Sequence, residues 1–222
     1  MKYIKKKASP KLFEDWKAFK KPTIWKELDG MPLPDDKRLE DIVYYSKHEL
    51  RAALLEEQHS ICCYCECRIE NHPLKTNIEH LEPREGDTKT ERIFDYANLL
   101  ASCNGGERDP KPKKIHCDHK KGNKPIPLTP LDRRCEIEIL FSIEGNIIGK
   151  TNDAQETIKI LNLDIDKLNN QRSQAIAAYI YQDQEATEFV SPEEGEKIYQ
   201  AIEKQLDEPY QSAILDALRQ IS

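Results

Sequence analysis

The sequence predicts an α+β fold in which a small metal-stapled core lies within a mostly helical shell. Six of the seven cysteines fall between positions 62 and 117, interleaved with a Glu-His pair. Apolar residues recur at helical spacing on both sides of this stretch. We therefore expect a helical region over 1–58, a core over 59–150 and a second helical region over 151–222.

The first region begins with a helix signal. Ser9 is an expected N-cap, and Pro10 suits the first helical position. Apolar residues then follow at helical spacing, which favours core packing over a DNA-stacking surface: Leu12, Phe13, Trp16 and Phe19. Residues 22–36 contain Gly30, Pro32 and Pro34 and are predicted to be a loop, and residues 37–58 a long helix.

The core is expected to contain short elements around the Glu-His pair. Strands are predicted over 76–81 and 97–101, and a short helix near Cys117. Residues 136–143 alternate like a further strand, and Glu144-Gly145-Asn146 turns it back into Ile147-Ile148. We expect these elements to hold the chemistry.

The last region is predicted to be helical over 152–161, 164–182, 192–206 and 209–220. Asp164 and Ser191-Pro192 are the expected starts of two of these helices, because aspartate and serine cap helix amino termini. These helices complete the predicted shell.

Length and composition agree with a soluble protein of the cytoplasm. Hydrophobic residues make up 38% of the 222 residues, which suffices for a core. No apolar run approaches the roughly 20 residues of a membrane span, and the amino-terminal lysines precede no apolar stretch that would make a signal peptide. Clustered cysteines with metal-like spacing favour a reducing compartment over a disulfide framework.

Charge is distributed unevenly along the chain. The net charge is −6, yet residues 1–26 carry nine lysines and residues 108–124 carry seven basic residues. Such basic segments could contact phosphate groups. Residues 183–222 instead carry ten acidic residues, which indicate either a partner-binding surface or a solvated helical face.

The cysteine spacing predicts a structural zinc site. Cys62 and Cys65 form a C-x-x-C pair, and Cys103 and Cys117 lie downstream on either side of a polar, proline-containing segment. Four thiolates would close a tetrahedral site and leave no position open to water. Cys63, Cys67 and His116 are alternative ligands, and buried free thiols or a redox pair are the alternative interpretations.

Glu79 and His80 supply the residue types that phosphodiester hydrolysis requires. A neutral imidazole can accept a proton from water. A carboxylate can hold a hard cation such as Mg²⁺. Because adjacent side chains of a strand point to opposite faces, sharing one site would require a strand end or a bend. An isolated Glu-His pair would more often be an exposed polar pair on a loop.

The cysteines, the Glu-His pair, Asn98 and His119 follow one another along the chain in an order that resembles that of the HNH, or ββα-metal, nucleases. The resemblance implies that His80 is the general base and Glu79 a ligand of a catalytic Mg²⁺ or Mn²⁺. It places Asn98 at the structural asparagine and His119 at the last metal ligand. The zinc knuckle of many family members matches the four predicted thiolates, although here thirteen residues separate the second pair.

The resemblance extends more narrowly to the PtuB-type nuclease subunits of Septu and retron anti-phage systems. Cys62–Glu66, Glu79–Pro83 and Cys117–Asn123 carry it, supported by Met1–Ile4 and Thr157–Leu163. It implies a nucleic acid substrate, DNA or RNA, and a PtuA-type ATPase as partner. We expect that partner to dock on the first helix or on the acidic helices beyond Ser191.

Lysines beside the last two motifs are candidate phosphate contacts: Lys113, Lys114, Lys120 and Lys121. Two further interpretations are a zinc-knuckle binding module without catalysis and a cysteine-based redox or zinc-sensing protein. The HNH order of the residues favours the nuclease.

Overall fold

A computed structural model describes residues 1–29, 45–84, 90–106, 114–183 and 188–221. The fold is mixed α+β, as predicted, with two small antiparallel sheets among helices. Within these residues, no helix is both long enough and apolar enough to cross a membrane. One hydrophobic cluster draws residues from the first, middle and last thirds of the chain, and the division into three regions stays a prediction.

The first helix, α1, spans Lys11–Lys20. Pro10, not Ser9, is its N-cap, without a side-chain hydrogen bond. The predicted apolar face is split. Phe13 and Trp16 are buried and stacked, whereas Leu12 and Phe19 are more than half exposed. A 3-10 helix follows over Trp25–Asp29 within the predicted loop.

The second helix, α2, spans Lys47–Glu57 and begins with a capping box. The Ser46 hydroxyl accepts from the helix backbone, and the Glu49 carboxylate accepts from the Ser46 backbone N–H. The helix predicted over 37–58 is too long: Tyr45 and Ser46 are not helical, because Ser46 caps a helix that begins at Lys47. The predicted start at residue 37 lies outside the described residues. The helix ends before His59 and Ser60, which adopt positive φ.

The central sheet pairs β1, Thr76–His80, with β2, Leu99–Cys103. The strands are antiparallel, with Glu79 opposite Leu100 and His80 opposite Leu99. A short helix α3, Thr90–Ile93, and a 3-10 turn, Tyr96–Asn98, come between them. The next helix, α4, spans Cys117–Lys121 and packs on β2. The predicted strands and the helix near Cys117 are thus confirmed, and β2 begins two residues later than expected.

The strand predicted over 136–143 is only partly correct. Its first half forms a helical turn, α5, over Cys135–Glu138, and β3 spans Ile139–Phe141. The helical turn forms because Asp132 accepts from the Arg134 backbone N–H, and Arg134 lies 3.6 Å from Glu138 one turn on. The predicted turn then leads into β4, Ile147–Gly149, which pairs with β3.

The carboxy-terminal helices are confirmed with small shifts. They are α6 (Asn152–Leu161), α7 (Asp166–Ile180), α8 (Pro192–Glu203) and α9 (Gln211–Ile221). Ser191 caps α8 as predicted, by accepting from Glu194 N. Ile165, not Asp164, is the N-cap of α7. Helix α9 packs on α7, α8 and β3, and so closes the shell over the second sheet.

Candidate metal centre and active site

Five thiols and one imidazole converge beside the central sheet. Their ligand atoms form two groups, within each of which all atoms lie no more than 4.8 Å apart. The first group contains Cys62, Cys65, Cys67 and Cys103, and the second contains Cys65, Cys103, His116 and Cys117. The Sγ atoms of Cys65 and Cys103 are 3.8 Å apart. This spacing suits a tetrahedral ion, because Zn–S bonds of about 2.3 Å place two sulfurs roughly 3.8 Å apart.

Three pieces of backbone bring these groups together. The chain turns tightly between Cys62 and Cys67, with the Cys62 N–H donating to the Cys67 carbonyl over 2.9 Å. Cys103 ends β2, and Cys117 begins α4 with a positive φ of 55°. Gly105 joins the last two pieces by accepting from His116 N at 2.9 Å. An added Cβ at Gly105 would lie 1.9 Å from the His116 carbonyl oxygen, so only glycine fits there.

The electrostatics of the cluster suit a cation. All seven cysteines are free thiols, and the cluster thiols other than Cys67 are buried. Hydrogen bonds from Cys103 and Cys117 hold the pKa of the Cys65 thiol well below its usual value. Burial opposes ionisation of Cys62, but hydrogen bonds from Cys103 and Cys117 still keep its pKa well below the usual value. Burial instead raises the pKa of the Cys117 thiol well above its usual value, so this thiol would ionise on binding an ion. Cysteine sulfur and imidazole nitrogen are donors that zinc prefers.

The four predicted zinc ligands lie in this cluster, although Cys62 and Cys117 fall in different groups, and two of the three alternatives join them. Cys67 and His116 belong to the cluster, whereas Cys63 falls in neither group among the described residues. The structure shows a Cys/His cluster compatible with zinc. Which side chains bind the ion stays a prediction.

Glu79 lies in a buried polar network near the end of β1. It accepts a hydrogen bond from the Tyr64 hydroxyl at 2.8 Å and lies 2.7 Å from the Lys121 ammonium. Burial, and then the nearby Asp118 carboxyl group, raise the pKa of Glu79 well above its usual value, while Lys121 opposes them. Two adjacent carboxyl groups supply oxygen ligands of the kind that a hard divalent ion prefers, although the Lys121 ammonium occupies one side of Glu79.

His80, the last residue of β1, is held by a backbone carbonyl and an indole. Its Nε2 lies 3.1 Å from the Ile93 carbonyl oxygen, so Nε2 carries the proton and Nδ1 has the free lone pair. Trp25 packs edge-on against the ring at a centroid distance of 4.4 Å. Burial, helped by Arg84, lowers the pKa of His80 to about 4, so the imidazole is neutral at pH 7.

The structure reveals Asp118, which sequence reasoning missed, next to Glu79. The Asn77 amide donates to Asp118 Oδ2 over 2.9 Å and holds the carboxylate toward the sheet. Asp118 and Lys121 are three residues apart and therefore share one face of α4, whereas the intervening His119 is exposed. The expected role of His119 as a metal ligand stays a prediction. No spacing in the sequence indicates Asp118, because packing decides which face of the five-residue helix α4 meets β1.

Asn98 is buried and ties together the two ends of the β1–β2 connection. Its Oδ1 accepts from Glu82 N at 2.7 Å, and its Nδ2 donates to the carbonyls of Glu82 and Arg92 at 3.1 and 2.9 Å. Since Ile93 follows Arg92, this clamp also fixes the carbonyl that orients His80.

The four candidate lysines fall into different environments. Lys114 and Lys120 are exposed and remain candidate phosphate contacts. Lys113 lies outside the described residues. Lys121 is buried, 2.7 Å from Glu79 and 2.9 Å from the His80 carbonyl oxygen. Its ammonium therefore contacts the protein interior and is not a surface contact for phosphate.

No protein-family model matches the chain. The chain is 32% identical over 78 residues to the Septu protein PtuB of Bacillus thuringiensis. The similar stretch is 35% of this chain and 25% of the length of PtuB. This partial similarity supports a Septu-related relationship.

Proposed function

We propose that the chain is a metal-dependent HNH endonuclease that hydrolyses phosphodiester bonds of DNA or RNA. The observation that carries the proposal is that Asp118 of α4 lies beside Glu79 of β1, with a neutral His80 as the next residue of the same strand. Strand, antiparallel strand and short helix occur in the ββα order that the resemblance implies. Asn98 clamps the connection as that resemblance expects of the structural asparagine.

Each residue has a distinct role in this proposal. Glu79 and Asp118 would hold Mg²⁺ or Mn²⁺, which supplies positive charge to the phosphate oxygens when bound. His80 Nδ1 accepts a proton from the attacking water, because Nε2–H is committed to the Ile93 carbonyl. Lys114 and Lys120 attract the phosphate backbone. We assign Asp118 in place of His119, since Asp118 is the residue that contacts Glu79.

The Cys/His cluster has a structural role in the same proposal. It joins the Cys62–Cys67 turn, the end of β2 and the start of α4. Strand β2 pairs with β1, which carries Glu79 and His80, and α4 carries Asp118. A bound zinc would contribute folding free energy to all three.

The partial similarity to a Septu protein supports a role in anti-phage defence. We propose that the chain is the nuclease of such a system and is controlled by a PtuA-type ATPase. Exposed apolar residues on α1, Leu12 and Phe19, are the proposed contact with that partner.

The test is cleavage of supercoiled DNA, linear duplex, single-stranded DNA and RNA by the full-length protein, alone and with the ATPase. Cleavage that requires Mg²⁺ or Mn²⁺ and falls by about 10²–10⁴-fold in His80→Ala supports the nuclease. His48→Ala, a histidine on α2, is the matched control and should cleave normally. Undiminished cleavage by His80→Ala, or metal-dependent binding without cleavage in every arm, would leave the zinc-knuckle binding module as the better interpretation.

A further inference from the structure

The cluster contains more ligand atoms than one ion can use. A tetrahedral zinc ion takes four donors, and six side chains converge here. They form two groups of four that share Cys65 and Cys103. Two tetrahedra that share two corners need six donors in total, which matches the number of side chains present.

His116 has the orientation of a metal ligand. Its Nδ1 lies 3.0 Å from the Lys114 carbonyl oxygen, so Nδ1 carries the proton. The lone pair on Nε2 therefore points into the cluster, 3.8 Å from Cys103 Sγ. Histidines that bind metal commonly donate their other ring N–H to a backbone carbonyl in this way. The imidazole is also buried, so water does not solvate Nε2 freely.

Cys67 stands on the opposite side of the shared pair. It belongs to the group that contains Cys62 but not to the group that contains His116. Together with Cys103 and His116 it lines a cavity of about 370 Å³ that opens to solvent. An ion could therefore reach both groups from one side of the protein.

We propose that the cluster binds two zinc ions bridged by the thiolates of Cys65 and Cys103. Cys62 and Cys67 complete the first ion, and His116 and Cys117 complete the second. The proposal concerns the metal content of the fold and does not depend on nuclease activity.

Charge balance favours the shared arrangement. Five thiolates and two Zn²⁺ ions leave one net negative charge, whereas one Zn²⁺ bound by four thiolates leaves two. The smaller charge is easier to bury. The buried guanidinium of Arg172 is close enough to interact electrostatically with Cys65 and Cys117, and its positive charge offsets the one remaining negative charge of the cluster.

Metal content tests the proposal directly. Full-length protein reconstituted with excess zinc and then desalted should carry about two zinc ions per chain by native mass spectrometry and elemental analysis. After exchange with ¹¹³Cd, NMR should show two thiolate-shifted resonances split by coupling through the shared sulfurs. One ion per chain, or two resonances without that coupling, would overturn the proposal.

Single substitutions provide an independent check. Cys67→Ser and His116→Ala each remove a ligand from one ion only, so bound zinc should fall by about half in each. Cys63→Ser and Cys135→Ser are matched controls, because both are buried thiols outside the two groups. Controls that retain two ions alongside variants that retain one support the assignment. Unchanged zinc in both Cys67→Ser and His116→Ala contradicts it.

Discussion

At the scale of single residues, the buried ammonium of Lys121 occupies one side of the Glu79 carboxylate. It lies 2.7 Å from Glu79 Oε1 and 2.9 Å from the His80 carbonyl oxygen. A divalent ion at Glu79 and Asp118 would share that carboxylate with a positive charge. Lys121 therefore keeps the two carboxyl groups together without metal and competes with metal for them.

Replacing this ammonium should strengthen metal binding. We expect Lys121→Met to lower the stability of the metal-free protein and to increase Mn²⁺ affinity about tenfold. A hydrogen bond to a charged group contributes roughly 1.5–3 kcal/mol, and tenfold corresponds to about 1.4 kcal/mol. Titration calorimetry on zinc-loaded protein measures the affinity. Lys120→Met, which changes an exposed neighbour, is the control, and equal affinities in the two variants would contradict the prediction.

A second pair of substitutions separates the two candidate ligands on α4. Asp118→Asn should weaken Mn²⁺ binding at least tenfold, because it removes one of two adjacent carboxylates. His119→Ala should leave the affinity within about twofold, since this side chain is exposed. Electron paramagnetic resonance of free Mn²⁺ gives both values. A larger loss of Mn²⁺ affinity in His119→Ala than in Asp118→Asn would instead identify His119 as the metal ligand, as the sequence predicts.

At the scale of elements, the β1–β2 connection depends on one amide. Asn98→Asp keeps an acceptor for Glu82 N but loses both donors, to the carbonyls of Glu82 and Arg92. Leaving such buried groups unpaired costs about 1–3 kcal/mol, which urea unfolding measures. Cleavage should fall as well, because Ile93 then no longer fixes His80.

The control for this amide is Asn71→Asp. Asn71 also donates to a backbone carbonyl, that of His48 at 3.3 Å, but in an exposed position. It should change stability by less than about 0.5 kcal/mol, as exposed substitutions usually do. Equal losses of unfolding free energy in the two variants would mean that Asn98 stabilises the β1–β2 connection no more than an exposed amide does.

Local signals account for the elements that the sequence predicted well. Helix α6 has the predicted bounds because Thr151 caps its start and Asn162 ends it in the left-handed region. The errors arose where short-range polar contacts compete with the apolar pattern. Asp95 caps the Tyr96–Asn98 turn and delays β2, and the contacts of Arg134 hold α5 in residues that alternate like a strand.

The site was predictable to the extent that its residues lie in short motifs. The cysteines were found in this way, and the structure brings Cys62, Cys65, Cys103 and Cys117 into one cluster. Glu79 and His80 both lie at the end of β1, and their roles stay a prediction. Asp118 and Lys121 were harder to assign, because their roles depend on which face of α4 meets β1. That orientation follows from tertiary packing, which a five-residue helix does not encode locally.

At the scale of the whole molecule, Glu66 connects the metal cluster to both ends of the described chain. It lies between Cys65 and Cys67, and its carboxylate is 3.1 Å from the Met1 amino group. Its other carboxylate oxygen accepts from Ser212 N at 3.0 Å, and its carbonyl accepts from Tyr210 N at 3.0 Å. The conformation of the Cys62–Cys67 turn therefore determines how α9 is anchored.

Metal removal should consequently loosen α9 as well as the core. We expect a high-affinity zinc chelator to abolish amide hydrogen-exchange protection in β2 and to reduce it in Gln211–Ile221, because Glu66 loses its fixed position. Hydrogen exchange with mass spectrometry measures both segments in one experiment. Full protection of α9 in chelated protein that has lost its zinc would show that the anchoring of α9 does not depend on the Cys/His cluster.

Truncation is unsuitable for testing the predicted contact with a partner, because it would damage the whole fold. Removing residues before 35 takes Phe13, Trp16 and Leu28 from the core, and removing those after 180 takes away α9. Point substitutions avoid this problem. Leu12 and Phe19, two helical turns apart on α1, are 61% and 53% exposed and lie on one face.

The double variant Leu12→Ser, Phe19→Ser should weaken association with the cognate ATPase at least tenfold and leave thermal stability nearly unchanged. Loss of a central apolar contact commonly costs 2 kcal/mol or more, roughly a thirtyfold change in affinity. Biolayer interferometry with the purified ATPase measures it. The control is Leu74→Ser, Ile137→Ser, which removes exposed apolar side chains elsewhere on the protein. Equal affinity of the two double variants would exclude α1 as the contact. Undetectable binding of the unmodified protein would contradict the proposal that this ATPase is its partner.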